Sequence, residues 1–375
     1  MRFYTNIQMV GNQILVRGYE NGQRYTHRHV YNPTLFVSSK KKSKYRTLSG
    51  EYVEPVKPGT IRDTRDFISK YNDVDGFNVF GFERFIYQYI SDNYPEDQIE
   101  FDISKIQLVT IDIETKSENG FPDVESASEE VLLITIQDYT SKDIITWGVG
   151  PFNNTHDNVD YRQCDNEHHL LSSFIQWWIE NTPDVVTGWN CEFFDMPYLA
   201  GRLNRVLGAK MMKRLSPWGL VTQSEVMKMG RRNFIVDIGG VSVLDYMRLY
   251  RWSPGTPNQE SFRLDYIAQQ ELGQQKLDHS EFETFKDFYT HGWQKFVEYN
   301  IIDVQLVDRL EDKLKLIELA LTMAYDAKVN YQDIFFQVRL WDCIIYNELK
   351  KRGIAIPPKI GSKKDEKYAG AYVKE

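Results

Sequence analysis

The sequence predicts an α/β layer protein preceded by a small α+β unit, and three observations predict it. Short apolar runs read as strands at 107–113, 131–139, 144–149 and 184–187. Among them fall stretches with helical spacing, such as Leu170, Leu171, Phe174, Ile175 and Trp178. Strands with interleaved helices bury their apolar faces as stacked layers. Finally, 375 residues exceed one ordinary domain, so two domains are expected.

The elements follow in order. Residues 2–16 and 25–37 have strand character and are joined across Asn21-Gly22, a turn pair. Thr60 is placed to cap a helix to about Tyr71, with Phe67 and Ile68 on one side. Lys40-Lys41-Lys42-Ser43-Lys44 reads as a solvated loop rather than a nucleic-acid contact. From Ile106 the pattern changes to the α/β layers, with Asn166 ahead of one helix and a second helix starting near Asp195. The segment 221–238 reads as a hairpin about Met229-Gly230-Arg231, where glycine supplies a positive φ. Residues 293–326 contain no Pro or Gly and keep a helical period. The tail from Lys350 is rich in Lys, Gly and Pro, and Pro357-Pro358 marks a turn or an extended piece.

Composition narrows the function. Hydrophobic residues are 42% and charged residues 26%, ordinary for a globular protein. No apolar run reaches membrane-span length and no leader opens the chain, so a soluble, unsecreted protein with no membrane partner is expected. Cys164, Cys191 and Cys343 are odd in number and far apart. That disfavours a disulfide framework or a zinc site and fits a reducing cytoplasm. The net charge of −8 excludes a general basic coat for nucleic acid. It does not exclude an acidic site whose cations supply the positive charge.

Three elements could carry chemistry. In Asp112-Ile113-Glu114, residues two apart on a strand share a face. Paired carboxylates repel, and a divalent cation compensates them directly, although surface or ion-pair duty accounts for this pair equally well. Asp195 follows Gly188-Trp189-Asn190-Cys191-Glu192-Phe193-Phe194 between a strand and a helix, where a helix N-cap with Pro197 in the first turn is the ordinary role. Asn190 likewise suits a turn. Tyr299 and Asp303 are four apart and share a helix face, as an ordinary surface pair would. Together, four carboxylates from a strand end, a helix start and a helix face could converge on two divalent cations, an arrangement that serves phosphoryl transfer.

In that order, Asp112-x-Glu114, Asn190-x-x-x-Phe194-Asp195 and Tyr299-x-x-x-Asp303 resemble the three exonuclease motifs of family B DNA polymerases, of the type with four acids and a tyrosine. The segments 243–250, 262–268 and 341–347, with Tyr89-Ile90-Ser91-Asp92 and Gly370-Ala371-Tyr372-Val373, resemble polymerases of T-even-type bacteriophages. The resemblance implies an RNase H-like exonuclease domain at 106–340 after an N-terminal α+β domain at 1–105. Residues 341–375 would return to the first domain and lead to a polymerising domain.

The implied reaction is 3′→5′ proofreading hydrolysis of single-stranded or frayed primer-template DNA with two Mg²⁺ or Mn²⁺, releasing 5′-mononucleotides. By resemblance, Asp112 would bridge both metals, Glu114 and Asp303 would serve the nucleophile-side metal, and Asp195 the other. Tyr299 would orient the water. Asn190 and Phe194 would contact substrate, the hairpin at Gly230 and Arg231 would part primer from template, and Phe121 would stack on an unpaired base. The alternative for Phe121 is a loop anchor packed on the domain. The implied setting is the cytoplasm of an infected bacterial host, with a sliding clamp as partner of the full polymerase.

Two departures stand out. The stretch between Glu114 and Asp195 is shorter than in familiar phage relatives, and no Ser-Leu-Tyr-Pro-type polymerase motif precedes Glu375. No nucleotide incorporation by this chain alone is therefore expected. The competing readings are a non-catalytic module that binds nucleic acid or docks a separate polymerase subunit, and an RNA-trimming nuclease of the same acid type.

Overall fold

The computed structural model describes residues 1–357, apart from Asn72, Asp73, Asn119, Met229, Pro254 and Pro257. The side chains of Lys228 and Arg231 also lie outside this description, as does the Gly370–Val373 segment.

An antiparallel sheet opens the chain: β1 (Arg2–Val10), β2 (Gln13–Glu20) and β3 (Gln23–Val30). The single strand expected over 2–16 is broken by a turn at Gly11, whose φ is 58°. Asn21 and Gly22 form the expected hairpin turn, both with positive φ (51° and 78°), which matches strand twist. The expected strand 25–37 likewise splits, and its second half is β4 (Leu35–Ser38). β4 belongs to another sheet with β5 (Tyr45–Arg46), β6 (Tyr52–Val56) and β7 (Val79–Phe80), in the order β5-β6-β4-β7. Helix α1 (Ile61–Tyr71) starts after Thr60, the cap residue the sequence suggested: its hydroxyl oxygen accepts the Asp63 N–H at 3.4 Å, and its own N–H donates to the Asp63 carboxylate at 2.8 Å. Helix α2 (Phe85–Asn93) follows.

The second half is built on a six-stranded sheet. Its strands are β8 (Leu108–Thr115), β9 (Val131–Asp138), β10 (Ile144–Gly148), β11 (Val159–Gln163) and β12 (Val185–Thr187). Between β11 and β12 lies α3 (Glu167–Asn181). After β12 come α4 (Asp195–Leu207), α5 (Ala209–Met212), the hairpin β13 (Val221–Lys228) and β14 (Arg231–Ile238), and the sixth strand, β15 (Ser242–Val243). The order is β11-β10-β9-β8-β12-β15. β9 runs antiparallel to β8 and β10, while β12 and β15 run parallel to β8. This mixed sheet with helices on both faces is the RNase H-like arrangement.

The remaining helices are α6 (Tyr246–Trp252), α7 (Leu264–Leu272), α8 (Phe285–His291), α9 (Trp293–Leu314), α10 (Leu316–Ala327) and α11 (Gln337–Lys351). The helical run 293–326 is thus two helices, broken at Lys315 in the left-handed region (φ 55°). The break needs neither Pro nor Gly. The buried Glu311 carboxylate accepts the N–H groups of Ile317 (3.0 Å) and Glu318 (3.4 Å), which caps the start of α10.

Alternation along β8 decides what each face holds. Val109, Ile111 and Ile113 pack with Leu170, Phe174 and Trp178 of α3 and Leu199 and Leu203 of α4. Leu133 and Ile144 of the neighbouring strands pack with Phe288 of α8 and Phe296, Val297, Ile301 and Val304 of α9. A third cluster joins β1, β2 and α2 to α6, α7, α10 and α11, so the N-terminal strands share a core with the second half. After α11, Ile354 pairs with Arg46 and the Gly81 N–H donates to the Ile356 carbonyl at 2.9 Å, which returns the chain to the second N-terminal sheet. No helix among the described residues is long and apolar enough to cross a membrane.

Candidate active site

Asp112 and Glu114 lie within β8 rather than beyond its end, because the strand runs on to Thr115. They project on the side where α9 packs. There Asn300 Nδ2 donates to Asp112 Oδ2 at 2.6 Å. Asp303, one turn further along α9, completes the cluster: one carboxylate oxygen from each of Asp112, Glu114 and Asp303 lies within 4.8 Å of the others. Asp303 is 4% exposed, so the surface-pair reading of Tyr299 and Asp303 does not hold.

Asp195 is brought to β8 by the turn from β12 into α4. Asn190 turns the backbone at φ 69°, and its carbonyl accepts the N–H groups of Phe193 and Phe194 at 3.1 Å. Gly188 lets this turn lie against β8, since a Cβ there would meet the Ile111 carbonyl oxygen at 2.4 Å. The N-cap reading of Asp195 is corrected here: it is the first residue of α4, and its Oδ1 accepts the Ile113 N–H at 3.0 Å. Asp195 is therefore tied to the strand between the two other acids, though it stands outside the three-carboxylate cluster. Asp245, which sequence reasoning passed over, pins the same turn by accepting the Glu192 N–H at 3.0 Å while capping α6.

Lys276 was also missed. It sits in the loop after α7, in no recognisable pattern, and its ammonium contacts Asp303 Oδ2 and donates to the Tyr299 hydroxyl at 3.2 Å. Tyr299 is further fixed edge-on against Phe288 and His279, with centroids at 5.8 and 5.5 Å. Asn300 was within reach of the sequence, being three residues before Asp303 on the same helix face.

Burial and mutual repulsion push every acid of the site upward. Desolvation, then the Asp195, Asp303 and Glu114 charges, hold the Asp112 carboxyl well above the usual range. Glu114 rises to about 8 through burial and the Asp303 charge. Asp195 rises to about 7 through burial, against the Ile113 N–H bond that lowers it. Asp303 rises only to about 6, because the Lys276 ammonium offsets burial. Burial alone would lower Lys276, but Asp303, Tyr299 and Asp112 outweigh it and raise its pKa.

Two buried oxygens, Asp303 Oδ1 and Asn300 Oδ1, lack a hydrogen-bond partner among the described residues. An all-oxygen, acidic donor set with an orphaned carboxylate oxygen fits hard divalent cations such as Mg²⁺ or Mn²⁺.

A groove of about 820 Å³ opens beside the turn into α4, lined by Phe121, Asn190, Phe194, Arg248, Arg251 and Trp252. Phe121 is 83% exposed and leans on Phe194 at 5.1 Å, so it is not buried as a loop anchor. Arg248 is held by Glu192 at 2.6 Å and lies 3.9 Å over the Phe335 ring. The hairpin runs from the Val221–Ile238 pair to the Lys228–Arg231 pair, turns at Gly230 (φ 72°), and lends Asn233 to the groove wall.

An RNase H-like sheet with acids converging from its central strand and a facing helix defines a nuclease-type domain. Residues 83–267 match the family model described as DNA polymerase family B, exonuclease domain. The whole chain aligns with the DNA-directed DNA polymerases of Enterobacteria phage T4 (33% identical) and Escherichia phage RB69 (31% identical), covering 44% of each relative. A more distant relative is the DNA polymerase of Bombyx mori nuclear polyhedrosis virus, 29% identical over 44% of this chain and 17% of that protein. Residues 83–267 are thus a DNA polymerase family B exonuclease domain, and the chain spans a little under half the length of the phage relatives.

Proposed function

We propose that this chain is a metal-dependent 3′→5′ exodeoxyribonuclease that removes nucleotides from single-stranded or frayed 3′ ends. The observation that carries the reading is the meeting of Asp112, Glu114 and Asp303 within 4.8 Å beside Tyr299, with Asp195 bound to the same strand. In this reading Asp112, Glu114, Asp195 and Asp303 hold two divalent cations, Mg²⁺ or Mn²⁺. When bound, such cations neutralise the scissile phosphate and acidify the attacking water.

The chain's own residues do the rest. The groove takes the unpaired strand, Phe121 and Phe194 offer rings for bases, and Arg248 and Arg251 offer positive charge to phosphates. Tyr299, held by Lys276, Phe288 and His279, orients the water in line with the terminal phosphodiester. A P–O bond to water forms, the bond to the 3′ oxygen of the preceding nucleotide breaks, and a 5′-mononucleotide leaves. The hairpin borders the groove, where it would part primer from template. We further propose that the chain acts with a polymerising portion, as in relatives named DNA-directed DNA polymerases, inside phage-infected cells.

The test is digestion of a 5′-labelled single-stranded DNA with Mg²⁺ or Mn²⁺, beside an EDTA control and the Asp112→Ala/Glu114→Ala protein. A metal-dependent ladder shortening from the 3′ end, lost in the variant, is expected. A folded wild-type protein that cuts nothing would shift the reading to a binding module. Faster cutting of an RNA of the same sequence would shift it to an RNA-trimming nuclease.

A further inference from the structure

One surface outside the exonuclease site combines aromatic rings with positive charge. β3 is the edge strand of the first sheet, and seven of its eight residues are exposed. On one face of it stand Tyr25, His27 and His29, spaced two apart as the pleat requires. Tyr25 and His27 are stacked, with centroids 4.8 Å apart and planes 27° apart. The Arg2 guanidinium lies over the Tyr25 ring at 5.9 Å and over Tyr94 at 5.2 Å. His29 lies against Tyr89, with centroids 5.2 Å apart. The Tyr25 hydroxyl is tied to that of Tyr94 at 2.6 Å, which fixes the row to the helix behind it.

No ring contact joins His27 to His29 among the described residues. Alternate residues of a strand are about 6.7 Å apart, twice the spacing of stacked bases, so a single flat ring fits between them. Arg28 projects from the opposite face and has no ion-pair partner among the described residues. Arg24, further along that face, is engaged by Asp184 at 2.8 Å. In a chain of net charge −8, this edge is a local basic strip. The Glu20 carboxylate on β2 lies near Arg2.

We propose that the Tyr25–His27–His29 face of β3, with Arg2 beside it and Arg28 on the reverse side of the same exposed edge, binds a stretch of single-stranded DNA, a base stacking at His27 and the backbone following the edge between the two guanidinium groups. Rings at two-residue intervals beside guanidinium groups are how sheet surfaces hold single strands without reading sequence. The choice of DNA over RNA rests on the proposed exonuclease function; the stacking row does not. None of these residues lines the groove at Phe121.

The experiment is anisotropy of a 5′-labelled oligothymidylate with the full chain in EDTA, where nothing is cut. His27→Ala/Arg28→Ala changes only exposed side chains and should leave the melting temperature unchanged. Its dissociation constant is expected to rise about tenfold and its salt slope to fall by about one. Iodouracil-substituted oligonucleotide is expected to cross-link to the peptide holding Tyr25 and His27. Coincident binding curves, or cross-links confined to the Phe121 groove, would overturn the site. An abasic oligonucleotide that binds as well as the normal one would overturn stacking, and tighter binding of the matching RNA would overturn the choice of DNA. Because the assay contains no metal, an inactive exonuclease would leave the outcome readable.

Discussion

Asp112, Glu114, Asp195 and Asp303 are held where their charge is unwelcome. Each has a folded pKa above its ordinary value, so the native state binds more protons than the unfolded chain. Stability of the metal-free protein therefore falls as pH rises from about 4, the unfolded range, through about 8, the folded value at Glu114. Glu114→Gln is expected to raise the melting temperature by roughly 2 °C at pH 9 in EDTA and to leave it unchanged at pH 4. A melting temperature lowered at pH 9 would make Glu114 a structural residue. Millimolar Mg²⁺ should stabilise the wild type at pH 8 and the variant much less, because only a native-state ligand set gains from the ion. At Tyr299 the hydroxyl alone is at issue. Tyr299→Phe keeps the packing on Phe288 and His279, so cleavage should slow by about 10–100-fold with Mg²⁺ stabilisation retained. Equal rates would remove the hydroxyl from the mechanism.

Among the elements, the turn from β12 into α4 sets the geometry. It was legible in part: a buried strand, a helix start and a motif between them are all in the sequence. The close approach of Gly188 to Ile111 was not, because it depends on how two strands far apart in sequence lie side by side. Gly188→Ala forces a Cβ to within 2.4 Å of a backbone oxygen, which cannot swing away as a side chain can. A loss on the order of 2–3 kcal/mol is expected by denaturant unfolding, with cleavage reduced further because Asp195 moves with the turn. Wild-type stability in this variant would mean that the turn has slack. The two-residue strands β5, β7 and β15 left no readable period, since alternation needs about four residues to show. Lys276 left none either, as one lysine in a loop is indistinguishable from a solvated one until Asp303 faces it.

The whole molecule is joined by a buried polar knot. Asp184, fully buried, takes Arg17 at 3.3 Å, Arg24 at 2.8 Å, the Tyr19 hydroxyl at 2.8 Å and the Thr5 hydroxyl at 3.0 Å. Arg17 also donates to the carbonyls of Pro183 (2.7 Å) and Gly240 (2.8 Å). This ties β1–β3 to the ends of β12 and β15. Asp184→Ala strands a buried guanidinium, so a destabilisation of about 3–5 kcal/mol is expected, read by urea unfolding. A shift below about 1 kcal/mol would show that the shared apolar core alone holds the halves together. That core runs from β1 to α11 across residue 106, where the change in sequence pattern suggests a boundary. Periodicity reports which face of an element is apolar, not which neighbour covers it.

By itself, the sequence determined four of the six strands of the central sheet, the hairpin, the helix cap at Thr60 and the candidate acids. Those are local properties, written in alternation, turn residues and motif spacing. Only the tertiary structure decided that Asp303 turns inward to Asp112 and Glu114, that Asp195 binds the strand rather than capping its own helix, and that Lys276 and Asn300 complete the site. It alone also placed the strand that carries Tyr25, His27 and His29 at an open sheet edge. These outcomes depend on burial and on pairings between separate elements, from 27 residues apart at Lys276–Asp303 to 188 at Asp112–Asn300, where desolvation and close approach set the energies and local sequence carries no record of either.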